Sequence, residues 1–201
     1  EFLKLVEFGA QPKKGPIFIE MPLDVQAREI SADNVEFFSK TKFEVSKKYF
    51  HNLPSDKEIS VVTDMIKSAQ RPVILLGGGV ERETVQKLYN HFEKNSIPIM
   101  TTWNAADRIG SENSLFFGRP NSWGQRYSNI LLQQSDLLIA IGTRLGIQQT
   151  GFNWEEFLAR GKVVQVDCDK AELEKGHPKI ALPIQADANS FFEKIITQNL
   201  G

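Results

Sequence analysis

Four segments of this chain end in residue types that can hold a ligand. Gly77–Gly78–Gly79 follows the apolar run Val73–Ile74–Leu75–Leu76 and precedes a helical pattern. Glycines let a backbone approach a ligand with no Cβ between them. The amides that open a helix also favour a phosphate. The triplet is neither G-x-G-x-x-G nor a P-loop, and a tight strand-to-helix turn without a ligand explains it equally well. Pro98–Ile99–Met100–Thr101 leads into Thr102–Trp103–Asn104, Leu137 to Ile141 into Gly142–Thr143–Arg144, and Lys162 to Val166 into Asp167–Cys168–Asp169. An arginine can grip phosphate oxygens in a fork, and a carboxylate after a strand can accept hydrogen bonds from ribose hydroxyls. Together these ends outline a nucleotide pocket. The competing reading gives the same residues to caps and turns.

No catalytic arrangement emerges. His51, His91 and His177 are scattered and lack the spacing of metal ligands. Cys168 lies between two aspartates, whose charge should raise its thiol pKa and disfavour a thiolate nucleophile. Asp167 and Asp169 can suggest magnesium, but helix capping is the simpler role without a phosphate beside them. The serines lack a G-x-S-x-G elbow, and Glu20 has no visible partner. We therefore assign neither catalytic nor metal-ligating residues.

The elements that would position these ends are legible from about residue 56. Ser55 or Asp56 can cap a helix with an apolar face of Ile59, Val62, Ile66 and Ala69. Strands are expected at 73–76, 98–102, 137–141, 162–166 and 180–184. Helices are expected around Val85–Phe92, Tyr127–Gln134 and Ala188–Gln198. Apolar strands without alternation, separated by amphipathic helices, imply a parallel sheet covered on both faces. In such sheets ligands sit outside the carboxyl ends of the strands, where strand order reverses. The fold class is thus a doubly wound α/β, Rossmann-like domain over residues 56–201.

Before it, residues 1–30 read as a short helix–strand remnant of another domain, with a helix through Phe2, Leu5, Val6 and Phe8 and a strand at Ile17–Met21 stopped by Pro22. Residues 31–55 read as a linker. Their aromatics Phe37, Phe38, Phe43, Tyr49 and Phe50 alternate with lysines, which can stack bases or simply pack on a neighbour. Phe116 to Arg126 forms a long Gly-rich, aromatic connection, and Phe152 to Phe157 a second aromatic patch in a short helix. Each is suited to a ligand or a subunit contact.

Composition narrows the partners. The 201 residues carry 24 Lys+Arg and 25 Asp+Glu, a net charge of −1. No concentrated positive field is available for nucleic acid or acidic lipid. A chain of this size buries roughly 70% of its surface without staples. The single cysteine excludes an intrachain disulfide and fits a reducing, cytoplasmic setting. Glu1 and Lys4 interrupt the first apolar run, so no signal peptide is expected at this start. No apolar run nears the ~20 residues of a membrane span. A start without Met, inside an apolar run, suggests a fragment.

The motifs Gly15–Pro16–Ile17–Phe18–Ile19–Glu20–Met21–Pro22–Leu23–Asp24–Val25–Gln26, Arg71 to Gly79, Thr101–Thr102–Trp103, Asp136 to Arg144 and Val166 to Leu173 follow one another in an order that resembles the thiamine-diphosphate-dependent enzymes of the acetolactate synthase type. The resemblance spans nearly the whole chain but only a middle slice of such an enzyme. It implies that residues 1–30 end the pyrimidine-binding domain and that residues from about 55 are the central domain. It also implies that thiamine diphosphate and magnesium are held outside this chain, by missing catalytic domains. The parent activity would be decarboxylation of a 2-oxo acid and transfer of the resulting carbanion-like intermediate, in a homo-dimer or tetramer; the cofactor supplies the electron sink.

In flavin-containing members the central domain holds FAD at its strand ends. The matching positions here are Gly77, Gly78, Gly79, Thr102, Trp103, Gly118, Gly142, Thr143, Arg144, Asp167, Cys168, Asp169 and Asp187. Trp103 to Arg108, Phe117 to Gly124 and Leu145–Gly146–Ile147–Gln148–Gln149 depart from the flavin pattern and remove flavin-site residues, which counts against FAD; FAD or an ADP-like nucleotide in this pocket is one expectation. A stand-alone nucleotide-binding module and a purely structural domain are the others.

Overall fold

A computed structural model describes residues 2–10, 13–40 and 52–200. The chain divides into two compact units, Glu1–Phe50 and His51–Gly201.

In the first unit, α1 (Phe2–Gly9) forms where apolar residues recur at helical spacing. It stops at Gly9, where the chain turns back and the Gly15 amide donates to the Gly9 carbonyl at 3.1 Å. A Cβ on Gly9 would lie 2.7 Å from Ile17 Cγ2, so the turn needs glycine there. The expected strand at Ile17–Met21 does not form, and the segment belongs to no strand. Its β-branched residues favour an extended chain, but a strand exists only where a second one completes the ladder. Pro22 instead caps α2 (Leu23–Gln26). A helix, α3 (Ala32–Lys40), occupies part of the stretch read as a linker. No described residue between 2 and 37 is buried. The aromatics and lysines at 42–50, and His51, lie outside the described residues.

The second unit begins with α4 (Asp56–Ser68). Ser55 Oγ accepts the Glu58 amide at 3.2 Å while Glu58 Oε2 accepts the Ser55 amide at 2.7 Å. This reciprocal box satisfies two of the donors that a helix start leaves open. The buried face is Ile59, Val62 and Ile66. Then come β1 (Pro72–Leu76), α5 (Arg82–Lys87), α6 (Tyr89–Asn95) and β2 (Ile99–Thr101). The single helix expected across Val85–Phe92 is broken at Leu88, whose φ of −100° and ψ of 4° are not helical. Val85, Leu88 and Phe92 are all buried in the core across the break. After a long connection come α7 (Arg126–Gln134), β3 (Leu137–Ile141), α8 (Ile147–Thr150), β4 (Lys162–Asp167), α9 (Lys170–Glu174), β5 (Leu182–Gln185) and α10 (Ala188–Ile196).

The five strands form one sheet in the order β2-β1-β3-β4-β5. Every pairing is parallel, with Ile74 opposite Ile139, Ile139 opposite Val164, and Val164 opposite Leu182. The doubly wound expectation therefore holds, with order reversing between β1 and β3. Alternate residues divide between two cores. Ile74, Leu76, Ile139, Ile141, Val164 and Val166 pack with α4, α6 and α10 through Val62, Phe92, Phe191 and Phe192. Val73, Leu75, Met100, Leu138, Ala140 and Val163 pack with Leu132, Leu145, Phe157 and Leu158. That second face is covered by α7 and an irregular segment rather than by two long helices.

Candidate functional site

The carboxyl ends of the strands lie on one rim because all five strands are parallel. Most of the residues singled out from sequence are on it, and the structure assigns each of them a partner or a place.

At the reversal point, β1 and β3 approach closely. The Gly77 amide donates to the Ile141 carbonyl at 2.8 Å, and the Gly79 amide to the Gly142 carbonyl at 2.9 Å. A Cβ on Gly77 would fall 2.2 Å from Gly142 O. Gly142 itself has φ +62°, and its added Cβ would lie 2.9 Å from Gly79 Cα. The glycines therefore let two strand ends touch. Gly78 alone of the triplet stands clear of Gly142; its nearest neighbour is Asn104. The Val80 amide donates to Gly77 O at 3.1 Å, and the Glu81 amide to Asn189 Oδ1 at 2.7 Å. Arg108 Nε reaches Val80 O at 2.6 Å. Asp107 pairs with Arg108 and with Arg82 at the start of α5.

Beside them, Thr102 is buried and donates its amide to Leu76 O at 2.9 Å. Trp103 opens a short 3-10 turn and is half exposed. The neighbouring Thr101 Oγ1 is buried without a hydrogen-bond partner. Gly118, with φ +79°, accepts the Thr101 amide at 3.1 Å, so 115–118 runs along the outer side of β2.

At the end of β3, Thr143 is buried and its carbonyl accepts Gln165 Nε2 at 3.0 Å. Gln165 is a fully buried polar residue in an otherwise apolar strand, and its Oε1 has no partner. Leu145 follows with φ 47° and is buried in the second core. Arg144 points outward, 77% exposed at its side chain, and donates Nε to Glu172 Oε1 at 2.7 Å. Lys175 holds the other Glu172 oxygen at 3.3 Å and also reaches Arg144 O. Burial pushes the Glu172 carboxyl up, but Lys175 and Arg144 outweigh it and hold the group below its usual range.

Beyond β4, Asp167 Oδ1 accepts the Asp169 amide at 2.9 Å. Asp169 Oδ1 caps α9 through the Ala171 amide at 3.0 Å. Asp187 caps α10 through the Ser190 amide at 2.7 Å, and its own amide donates to Asn52 O at 2.8 Å. Cys168 is exposed, and its thiol is pushed above the usual range by partial burial first and then by Asp167 and Asp187. The rim thus brings Gly77, Gly79 and Gly142 into contact. It sets Asp187 near Cys168, and leaves Gly118 at the far side of β2. Sequence reasoning missed Glu172, Lys175, Asn189 and Arg108, each of which has a partner 28 to 110 residues away. Gln165 carried a readable signal, a polar residue inside Val163–Val166.

The aromatic connections meet. The Ser122 amide donates to Gln148 O at 2.9 Å, and Gln149 Nε2 donates to Pro120 O. Trp123 and Phe152 remain 82% and 87% exposed. Trp154 begins a 3-10 turn and lies 5.3 Å from the His177 ring, centroid to centroid. A groove of about 740 Å³ lies at the opposite edge of the sheet, between α4 and the start of β3 and β4, where Asp136, Arg160 and Lys162 line it. Among the described residues, no group of three or more His, Cys, Asp or Glu converges on a point that could hold a metal ion.

Comparison with known proteins places this geometry. The family described as "Thiamine pyrophosphate enzyme, central domain" matches residues 59–195, from the buried face of α4 to the end of α10. The chain is 31% identical over 198 residues to a probable acetolactate synthase large subunit of Methanococcus aeolicus, covering 98% of this chain and 32% of that protein. It is 32% identical over 185 residues to the acetolactate synthase isozyme 1 large subunit of Escherichia coli K12, covering 92% and 31%. It is 29% identical over 185 residues to the acetolactate synthase large subunit of Corynebacterium glutamicum, covering 92% and 28%. The chain spans about a third of the length of these curated relatives. Since the matched residues are the ones that build the five-stranded parallel sheet and its rim, this chain belongs to the thiamine pyrophosphate enzymes and carries their central domain.

Proposed function

We propose that this chain is the non-catalytic middle of an acetolactate synthase-like enzyme, acting on a 2-oxo acid by decarboxylation and carboligation. One observation carries the reading. Similarity to acetolactate synthase large subunits runs over 198 residues, through both compact units and not only through the sheet. On this reading thiamine diphosphate, magnesium and the acid–base groups belong to neighbouring domains of the same protein, and that protein works in the cytoplasm as a homo-dimer or tetramer. The domain's own contribution is rigidity: a sheet buried on both faces holds its two ends at fixed separation.

The test uses the native full-length protein with pyruvate, thiamine diphosphate and magnesium. Acetolactate and carbon dioxide should form, and leaving out thiamine diphosphate should abolish both. The 201-residue chain alone should not turn over. Turnover by the chain alone, or a full-length protein that consumes no 2-oxo acid, defeats the proposal.

A further inference from the structure

In a doubly wound sheet the default ligand position is the crevice at the reversal point, here between β1 and β3. A dinucleotide is held there by free backbone amides, aligned helix ends and positive side chains. Each requirement can be checked.

The amides come first. Of those from Gly77 to Glu81, the amides of Gly77, Gly79, Val80 and Glu81 already donate to acceptors of this chain. The Gly142 amide donates to Val166 O at 2.9 Å. Further along the rim, the amides of Asp169, Ala186 and Asp187 are also taken, by Asp167 Oδ1, Asp167 O and Asn52 O. Freeing one of these bonds for a phosphate exchanges one hydrogen bond for another and leaves a carbonyl unsatisfied.

The helix that follows the glycines, α5, has six residues and no side-chain cap at its start. Glu81 stands at its N-cap and Glu83 in its first turn, so two carboxylates belong to the start of this helix. Like charges at that position oppose binding. The rim's arginine is also committed: Arg144 and Lys175 share Glu172. Asp167, Asp169 and Asp187, after β4 and β5, are acids, and Arg108 is held by Val80 O and Asp107. Finally, the two segments that flank the crevice are joined directly, Ser122 to Gln148 and Gln149 to Pro120.

We infer that the carboxyl-end rim of this domain takes no phosphate-bearing dinucleotide, flavin included: it is an internal seam in which the amides of Gly77, Gly79, Val80, Glu81 and Gly142 are bound to the chain itself. The inference stands apart from the proposed reaction, since a thiamine-dependent enzyme can carry an empty or a filled middle domain.

The experiment uses the native full-length protein, saturated with thiamine diphosphate and magnesium so that those sites are filled. Visible absorbance is read on the purified protein and on the supernatant after denaturation. Equilibrium dialysis against FAD follows, and amide hydrogen exchange is measured across residues 76–82 with and without FAD. The expected result is a colourless protein, no saturable FAD uptake, and amides of residues 77 and 79–81 that are protected before FAD is added and unchanged after. Stoichiometric flavin in the purified protein, or saturable uptake that slows exchange in 76–82, overturns the inference. Failure of the pyruvate assay alone leaves a colourless protein colourless, so the two conclusions fail separately.

Discussion

Replacing Gly142 by alanine tests the contact on which the rim depends. Two penalties act together at this position. Its φ of +62° places an L-residue in the left-handed region, at roughly 1–2 kcal/mol. Its new methyl would also lie 2.9 Å from Gly79 Cα and 3.0 Å from Ala188 Cβ. Backbone cannot yield there without parting β1 from β3, and overpacking of this kind costs about 1–3 kcal/mol. The sum is roughly 2–5 kcal/mol, or about 5–15 °C in melting temperature for a domain of this size. Two companion variants separate the terms. Gly176→Ala has φ +82° but open space around the added atom, so it bears the conformational cost alone. Gly77→Ala has no left-handed backbone, yet its methyl meets Gly142 O at 2.2 Å and Thr143 Cβ at 2.5 Å, so it bears the steric cost alone. Thermal unfolding of the three variants, followed by circular dichroism, should place both Gly142→Ala and Gly77→Ala below Gly176→Ala, because only the first two push a methyl into the neighbouring strand end. If Gly142→Ala and Gly176→Ala lose the same stability, the strand ends are not in contact and the closed rim is wrong.

Other perturbations follow from single contacts. Burial pushes the Asp136 carboxyl up, but the Gln70 and Arg71 amides, both at 2.8 Å, outweigh it and lower its pKa. Its stabilisation is therefore complete above the unfolded value of about 3.9 and is lost as pH falls through the lower folded value; Asp136→Asn should flatten the acid limb of a stability–pH curve, and an unchanged limb would refute this. Cys168, with its thiol pushed up by burial and by Asp167, should react with iodoacetamide at neutral pH more slowly than free cysteine and gain rate only in alkaline solution. Ser55→Ala should cost about 1 kcal/mol of unfolding free energy, and Glu58→Ala should cost less once Ser55 is already gone, because the two side chains close one box.

Legibility in the sequence followed the range of the interaction. The strands could be read because Val73–Leu76, Leu137–Ile141 and Val163–Val166 are apolar without alternation, and burial on both faces leaves no other use for such runs. The start of α4 could be read because Ser55 and Asp56, both capping types, stand just before the apolar stripe of Ile59, Val62 and Ile66. Ile17–Met21 failed the same reasoning, since its composition favours extension while its partner strand is a property of another segment. The break at Leu88 was hidden for a similar reason, because Val85, Leu88 and Phe92 satisfy one helical stripe and the core decides whether one straight helix can deliver all three.

The rim shows the same division at higher stakes. Residue types located it, since glycine, threonine, arginine and aspartate collect after apolar runs. Whether a strand end binds anything depends on a different quantity, the number of donors left free once the neighbouring strand is in register. Gly79 loses its amide to Gly142, 63 residues away in the chain, and Glu81 loses its amide to Asn189. Arg144 gives its Nε to a glutamate on α9. None of these pairings has a local signature, because each is set by which strand lies beside which. A glycine-rich turn after a buried strand is therefore evidence for close approach of backbone, and the sheet order decides whether the approaching partner is a phosphate or another strand.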